Sequence, residues 1–466
     1  MRANSFLALA WLAILLCQGA AAQATEADPA LVEWGRHLVT AGDCAGCHGP
    51  SFSGGAAIAS PIGSIFASNI TPDKKTGIGA WTLAQFSDAL RKGQSPSGDL
   101  YPAMPYTSYT GLSDDEIRAI YSYLMLGIKP VANHPPETRL PFPFLRSAMV
   151  VWDALFLKQG HPTGAIAVTG DQLQRGRLLV ETLGHCSDCH TPRGDLMQQR
   201  SARHFGGAMV GGWWAPNITS DKTGIGGWSD QQLATFLQTG HTGLAVAAGD
   251  MGTVVSRSLS KLSKDDIAAI VAYLRQVPAV ASDHPEKTMG AVSRPLQVAE
   301  IEPAGESGWQ AMLGHDTTQG DILYQSACAS CHGVDGNGSL HQQHPSLRRI
   351  TSVTSPAGAT LVQVIAHGVA QTINNEHILM PGFRASMDNA QIASLANYVR
   401  SQFGGIESNL TAAEVADILD GQIDTPWLIQ NAHWLAILTL VISVSVFLVI
   451  LWVAVQTLRR RSVKVA

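Results

Sequence analysis

Six of the seven cysteines fall in one short motif that occurs three times. Its copies are Cys44-Ala-Gly-Cys47-His48, Cys186-Ser-Asp-Cys189-His190 and Cys328-Ala-Ser-Cys331-His332. The Cys-x-x-Cys-His spacing is typical of covalent haem c attachment, in which two thiols on one turn form thioethers with one porphyrin. The adjacent histidine can then bind the haem iron from the proximal side. We therefore expect three haems c, attached through Cys44, Cys47, Cys186, Cys189, Cys328 and Cys331, with His48, His190 and His332 as iron ligands.

Three other uses of the motif fit less well. A thioredoxin-like redox pair would not need a histidine after the second cysteine in all three copies. A zinc site would need two further ligands in each copy, and the sequence has no spare cysteines to supply them. A disulfide between cysteines separated by two residues would close a tight, strained loop.

The second axial ligand decides function, because electron carriers fill the sixth iron site, usually with methionine, whereas catalytic haems leave it open. After the first motif the candidate is Met104, in a stiff Tyr-Pro-Ala-Met-Pro-Tyr loop suited to holding a thioether. After the third motif it is Met380, which also precedes a proline. We prefer Met380 to His377, Met387 and His367.

After the second motif the candidate ligand is Met251, in Gly-Asp-Met-Gly just before the last helix of its repeat. No proline follows this methionine, and His241 is a histidine alternative. Met197 and Met209 come soon after the motif and are more typical of packing residues.

The elements that must position these residues repeat as well. The first cysteines of the motifs are 142 residues apart in both intervals, and a fixed period indicates duplicated units. Gly35, Gly176 and Gly320 precede the motifs in register, and amphipathic helices are predicted to close the units at 113–127, 263–276 and 388–403. Capping boxes are expected at the starts of the first two. The predicted fold class is all-α, with three tandem cytochrome c domains at 25–135 (unit one), 165–285 (unit two) and 305–405 (unit three).

Units one and two share a further segment that starts at Asn69 and Asn217 and ends at Trp81 and Trp228. Two interpretations are open. These side chains could donate hydrogen bonds to a buried haem propionate, since buried carboxylates must be paired. Alternatively, the asparagine caps its own glycine-rich turn and the indole packs against it.

The two ends of the chain predict export and membrane anchoring. Residues 1–24 have a positive start, a short apolar stretch and small residues at a cleavage site, as a signal peptide does. Residues 435–455 carry no charge and can form one C-terminal transmembrane helix, followed directly by Arg459, Arg460 and Arg461. By the positive-inside rule, the C-terminus is cytoplasmic and the body lies on the periplasmic face of the inner membrane, in a single-pass topology.

The net charge of -5, with only 14% charged residues, argues against a nucleic-acid partner. Residues 140–157, between units one and two, are rich in Phe, Trp and Leu. We expect this 140–157 segment to pack across the first two units or to meet a partner. Because unit three adjoins the membrane helix in sequence, we expect unit three to lie nearest the membrane.

The three motifs, the shared Asn-to-Trp segment, the Tyr-Pro-Ala-Met-Pro-Tyr loop and the Met-Pro-Gly-Phe segment at Met380 resemble the triple-haem cytochrome c subunit of membrane-bound dehydrogenases. That family serves quinoprotein alcohol dehydrogenases, flavin-dependent gluconate and fructose dehydrogenases, and molybdenum-type aldehyde dehydrogenases. The resemblance implies electron transfer from a catalytic dehydrogenase subunit, which carries pyrroloquinoline quinone, a flavin or molybdenum, to membrane ubiquinone. The single C-terminal helix favours flavin or molybdenum partners.

Two other functions remain open at this point. One is a peroxidase-like haem enzyme with an open iron site, against which the three methionine candidates count. The other is a cytochrome c subunit of a respiratory oxidase, whose partner would be an integral membrane complex.

Overall fold

The computed structural model describes residues 28–160, 165–282, 318–339, 344–348, 350–421 and 425–462. The predicted signal peptide, 1–24, lies outside the described residues. Units one, two and three denote residues 25–135, 165–285 and 305–405, and these domain limits stay predictions.

Unit one is built around two helices that cross, one before the haem motif and one that closes the unit. Its helices are α1 (Pro29–Ala41), α2 (Cys44–His48), α3 (Leu83–Lys92), α4 (Tyr106–Tyr109) and α5 (Asp114–Ser122), which continues as a π-helical turn (Tyr123–Gly127). Its strands form two antiparallel pairs, β1 (Ala57–Ser60) with β2 (Gly63–Phe66) and β3 (Gln94–Ser95) with β4 (Gly98–Asp99). Helix α5 begins at the predicted capping box of Ser113 and Glu116, which is confirmed.

The 140–157 segment carries a 3₁₀ turn (Arg146–Ala148) and helix α6 (Met149–Phe156). Unit two then repeats the pattern with α7 (Asp171–Arg177), a π-helical turn (Leu178–Leu183), α8 (Ser187–His190), α9 (Asp230–Thr239), α10 (Gly249–Arg257) and α11 (Lys264–Gln276). Short 3₁₀ turns lie at Ser201–Arg203, Ile225–Gly227 and Leu259–Lys261, and β5 (Ala208–Val210) pairs with β6 (Trp213–Ala215). The predicted capping box of Ser263 and Asp266 starts α11 and is confirmed.

Unit three has the same crossing helices and a longer hairpin. Its elements are α12 (Gly320–Ala327), α13 (Ala329–His332), α14 (Thr351–Thr354), a 3₁₀ turn (Pro356–Gly358), α15 (Ala359–His367), β7 (Val369–Ile373), β8 (Glu376–Met380) and α16 (Asn389–Gln402). Helices α17 (Ala412–Leu419), α18 (Trp427–Gln430) and α19 (Ala432–Ser462) follow. The chain is therefore mostly helical, as predicted, and the described residues add short antiparallel strand pairs. Residues with positive φ form two of the turns, Gly211 and Gly212 between β5 and β6 and Asn374 and Asn375 between β7 and β8.

The repeated glycines lie where the two helices of each unit cross. A Cβ atom would lie 1.9 Å from Ala119 O at Gly35, 2.2 Å from Ala269 O at Gly176 and 2.3 Å from Ser394 O at Gly320. No side chain fits at such distances, so glycine is required for backbone contact between the helices.

Apolar packing joins units one and two into one hydrophobic core. It runs from Leu38 and Ile117 in unit one to Leu179 and Ile270 in unit two. Unit three has its own core, and a small cluster around Val255 joins it to unit two.

Helix α19 contains a stretch, Ala432–Gln456, that is long and apolar enough to cross a bilayer. None of its most apolar window is buried in the protein. The predicted span, 435–455, lies inside this stretch.

Candidate haem sites

The three motif histidines share one arrangement. Each Nδ1 lies within hydrogen-bond distance of a backbone carbonyl: His48 to Ser68 O at 2.7 Å, His190 to Pro216 O at 2.6 Å, and His332 to Pro345 O at 3.0 Å. With Nδ1–H as the donor, Nε2 is left as the nitrogen that can bind a metal. Burial lowers the pKa of all three imidazoles, which favours the neutral form that an iron ligand needs.

The motif cysteines lie on the helical turns that carry these histidines. In each motif the first cysteine is half-buried and the second is exposed, and none of the six is in a disulfide. Burial raises the pKa of Cys44, Cys186 and Cys328 to about 12, so these thiols do not have the lowered pKa of a reactive redox cysteine. In the part of the chain that the structure describes, no group of three His, Cys, Asp or Glu side chains is placed to hold a metal ion. The arrangement fits thioether attachment of one haem at each motif.

Met104 lies in a tight turn between two tyrosines. The Met104 N–H donates to Tyr101 O at 3.0 Å, and Tyr106 N–H donates to Met104 O at 2.7 Å. The methionine side chain is half-buried against the shared core of units one and two. Its assignment as an iron ligand stays a prediction.

Met380 is the last residue of β8 and is half-buried. Its rivals have other surroundings. Met387 is buried in the core of unit three, His367 is exposed, and His377 is exposed and hydrogen-bonded to Thr372 at 3.0 Å. These positions favour Met380 as the predicted ligand.

Met251 lies in the first turn of α10 and is half-buried.

The rivals of Met251 have other surroundings. His241 is paired with Glu376 of unit three at 3.3 Å, and Met209 packs against the core of unit three. Met197 is half-buried in a turn with a positive φ. Met251 thus stays the predicted ligand of unit two, although its side chain also packs against the small cluster that contains Val255 of unit two and Ile373 of unit three.

Comparison with known proteins identifies the family. Residues 32–126 and 173–278 match the cytochrome c family, and residues 315–399 match the family described as cytochrome c oxidase, cbb3-type, subunit III. The fructose dehydrogenase cytochrome subunit of Gluconobacter japonicus is 40% identical, over 87% of this chain and 87% of that protein. The chain belongs to the family of dehydrogenase cytochrome c subunits.

Other members of the family are nearly as similar. The gluconate 2-dehydrogenase cytochrome c subunit of Pantoea cypripedii is 35% identical, over 84% of this chain and 90% of that protein. The cytochrome c subunit of a quinone-type alcohol dehydrogenase from Gluconacetobacter polyoxogenes is also 35% identical, over 87% of this chain and 88% of that protein. The chain is thus a cytochrome c subunit that transfers electrons for a dehydrogenase, and the expected resemblance is confirmed.

In this cytochrome c subunit, helix α10 joins all three units, which the sequence did not predict. Arg257 at its end donates to Ala45 O at 3.1 Å and Gly46 O at 3.4 Å, inside the first motif. At its other end, Ala247 O, two residues before α10, accepts from Gln371 Nε2 of unit three at 2.7 Å. The helix that carries Met251 therefore contacts the first haem motif and the hairpin that ends at Met380.

The asparagines of the shared Asn-to-Trp segments hydrogen-bond within their own turns. Asn69 Oδ1 accepts from the N–H and hydroxyl of Thr71, and its amide donates to Thr76 Oγ1 and Val131 O. Asn217 makes the equivalent bonds in unit two. Both asparagines are buried with their polar atoms bonded to the protein, which favours the interpretation that they fix their own turns.

The 140–157 segment packs across units one and two, as expected. Tyr101 OH donates to Phe144 O at 2.9 Å, and Tyr106 OH donates to Asp153 at 2.8 Å, so both tyrosines beside Met104 bind this segment. On the other side, Trp152 Nε1–H donates to Leu196 O of unit two at 2.9 Å.

Proposed function

We propose that this subunit carries electrons from the catalytic subunit of a periplasmic dehydrogenase, through three covalent haems c, to ubiquinone in the membrane. The observation that carries the proposal is the arrangement that recurs at His48, His190 and His332, with Nδ1 bound to a carbonyl and Nε2 left for iron. Three equivalent sites in one chain suit stepwise electron transfer.

The proposed haem ligands follow from the motifs. The thiols of Cys44 and Cys47, of Cys186 and Cys189, and of Cys328 and Cys331 hold the haems, and Met104, Met251 and Met380 complete the iron coordination. A methionine in the sixth position raises the reduction potential and closes the iron to small ligands, which suits a carrier rather than an enzyme.

The contact between units one and two supports electron transfer between their haems. Burial raises the pKa of Cys47 and of Cys189, and the carboxylate of Asp250 adds to the effect at both thiols. Asp250 precedes Met251 and so lies near both motifs. Close motifs imply close haem edges, since each thioether fixes the porphyrin to its helix.

Electrons leave, in this proposal, from the haem of unit one. His433 at the start of the apolar helix α19 donates through Nδ1 to Phe142 O at 3.3 Å. Phe142 belongs to the 140–157 segment, which binds the two tyrosines beside Met104. This contact supports unit one as the unit nearest the membrane, whereas sequence order alone favours unit three.

The surface around that contact is apolar. The side chains of Phe142, Leu145, Val150, Val151 and Leu155 are each about half exposed or more, and helix α6 has no buried residue. Continuity with the start of α19 supports contact of this surface with the outer leaflet. The exposed Trp427 and Trp434 flank the same point, as interfacial tryptophans do.

The proposed topology is a single membrane crossing by α19, with the haem units on the periplasmic side and the basic C-terminus in the cytoplasm. The proposed partner is a dehydrogenase subunit of the flavin, pyrroloquinoline quinone or molybdenum type. Relatives named for fructose, gluconate and alcohol dehydrogenases support such a partner.

Purification of the full chain with its partner tests the function. We expect a dehydrogenase catalytic subunit, substrate-dependent reduction of all three haems, and reduction of added ubiquinone. Rapid carbon monoxide binding with peroxide turnover by the isolated chain would instead indicate a haem enzyme. Recovery with an integral membrane oxidase would favour the oxidase role, to which the match of residues 315–399 points.

Spin labels at two exposed positions test which unit faces the membrane. Val151, 63% exposed, lies on the apolar surface next to unit one, and Leu379, 76% exposed, lies on the hairpin of unit three. In full-length protein in vesicles, we expect a label at Val151→Cys to be shielded from aqueous relaxants and a label at Leu379→Cys to be accessible. The reverse result would restore unit three as the unit nearest the membrane.

A further inference from the structure

Unit two contains a buried acid that is hydrogen-bonded to a histidine and a tyrosine. Glu181 is fully buried, and His204 is 6% exposed. His204 Nε2 lies 3.0 and 3.1 Å from the two carboxylate oxygens of Glu181, and Tyr273 OH donates to Oε1 of Glu181 at 2.7 Å. The Tyr273 hydroxyl also accepts from Ile166 N–H at 3.3 Å.

The other units have no carboxylate at this position. Glu181 lies five residues before the first cysteine of its motif, where units one and three have Val39 and Leu323. Counted instead from the glycine at each helix crossing, Gly35, Gly176 or Gly320, the equivalent residues are Thr40 and Gln325. Unit two has more residues between glycine and motif than units one and three, and its helix forms a π-helical turn, Leu178–Leu183, around Glu181. Such insertions are frequent at functional sites.

The hydrogen bonds define where one more proton can bind. Burial, followed by the charge of Glu181, raises the pKa of Tyr273, so the tyrosine stays protonated and donates to the carboxylate. His204 Nε2–H donates to the same carboxylate. His204 Nδ1 is buried and has no hydrogen-bond partner in the described part of the chain. Protonation at Nδ1 would turn the pair from a lone buried carboxylate into an ion pair without net charge.

The pair lies close to the haem site of unit two. The charge of Glu181 raises the pKa of Cys186 next after burial, so the carboxylate is near the first attachment thiol. Phe205, next to His204, donates its N–H to Thr191 Oγ1 at 3.0 Å, directly after the motif. The charge of Asp188 in the motif also raises the pKa of Cys186, and the charge of Arg177 lowers the pKa of Tyr273. In a buried site, a charge change at the haem alters the free energy of protonation nearby.

We propose that Glu181 and His204 form a redox-linked proton site for the haem of unit two. The pair binds one proton from solvent, at His204 Nδ1, when one electron from the dehydrogenase partner reaches that haem. It releases the proton when the electron leaves for the next haem. The inference rests on the proposed haem attachment in unit two, and it predicts that the midpoint potential of the unit-two haem falls as pH rises.

The test is a spectroelectrochemical titration of the full-length protein between about pH 5 and pH 9. A tenfold change in proton concentration shifts a fully coupled one-electron potential by about 59 mV. We expect the potential of the unit-two haem to fall as pH rises, and Glu181→Gln and His204→Gln should each flatten this dependence. Asp171→Asn, at an exposed carboxylate on α7 of the same unit, should leave it intact. Asp43, beside Cys44 in unit one, adds a separate dependence that neither variant changes.

Haem content, measured on the same samples, separates the possible failures. Fewer than three covalent haems in the parent protein would count against the proposed function itself. Three haems whose pH profiles of potential are all left unchanged by both Glu181→Gln and His204→Gln would overturn the proton site alone. If one variant does not mature, the other still decides the question.

Discussion

The guanidinium of Arg257 donates to the carbonyl of Ala45, between the two cysteines of the first haem motif, at 3.1 Å. Arg257 ends the helix that carries Met251 of unit two. The bond therefore joins the proposed ligand helix of one haem to the attachment turn of another. Ser258, the next residue, donates to Ala41 O at 3.2 Å and extends the contact.

Asp43 lies near Arg257 at this contact, and its carboxyl group should make the free energy of unfolding depend on pH. Burial raises the pKa of Asp43 to about 7, while Arg257 opposes the shift. Because the folded state holds this proton more tightly than the unfolded state, the free energy of unfolding should fall as pH rises from about 4 to about 7. We expect a loss of about 2 kcal/mol, since partial exposure screens the carboxyl.

Chemical denaturation of the parent and of Asp43→Asn at several pH values checks this prediction. The variant should lack this part of the pH dependence. Arg257→Gln should extend the loss toward higher pH, because it removes a charge that lowers the pKa of Asp43. Equal pH profiles in the parent and in Asp43→Asn would contradict the assignment.

The crossing glycines predict a strong steric effect. Gly176→Ala would bring a methyl group to 2.2 Å from Ala269 O, so we expect a destabilisation of about 3 kcal/mol, seen as a lower Tm. Gly227→Ala is the matched control in the same unit, because a Cβ there meets no atom within 4 Å. Similar Tm values for the two variants would show that the helices do not cross at Gly176.

The methionine assignments predict changes in single potentials. Met104→Ala or Met380→Ala should lower one haem potential by on the order of 0.1 V, because loss of the thioether favours ferric iron. Covalent haem content should stay the same. Met387→Leu, at the buried rival in unit three, is the control and should leave the potentials unchanged. Unaltered potentials in Met380→Ala would remove that residue from the proposed ligand set.

The shared core predicts how haem loss spreads. Cys47→Ala should impair attachment in unit one and lower the stability of units one and two together, because their apolar side chains form one cluster. Cys331→Ala should affect mainly unit three, which has its own core. Differential scanning calorimetry with haem quantification distinguishes the two patterns. A transition confined to unit one in Cys47→Ala would argue against a shared core.

The sequence predicted what depends on local spacing. The motifs, the capping boxes at Ser113 and Ser263, and the apolar C-terminal helix all follow from residues that are near one another in the chain. The repeat spacing marks Gly35 as a residue shared by the units, but only the fold shows the backbone contact with Ala119 that requires a glycine.

Features that depend on contacts between units could not be read from spacing. The bond from Arg257 to Ala45 and the contact of His433 with Phe142 join residues more than about 200 positions apart in the chain, and no local pattern marks them. Sequence order therefore favoured unit three at the membrane, whereas the contacts of α19 favour unit one. The only trace of the Glu181 site in the sequence is the longer spacing between Gly176 and Cys186. That spacing points to a site only once the fold shows Glu181 buried against His204.

The central claim is that one chain holds three covalent haems as electron carriers. The most direct measurement is intact-mass spectrometry of the mature, full-length protein, combined with the haem-to-protein ratio after extraction with acidified solvent. The account predicts a mass that includes three haems, none of them extractable. A mature chain with fewer than three attached haems, or with haem that the solvent removes, would contradict it.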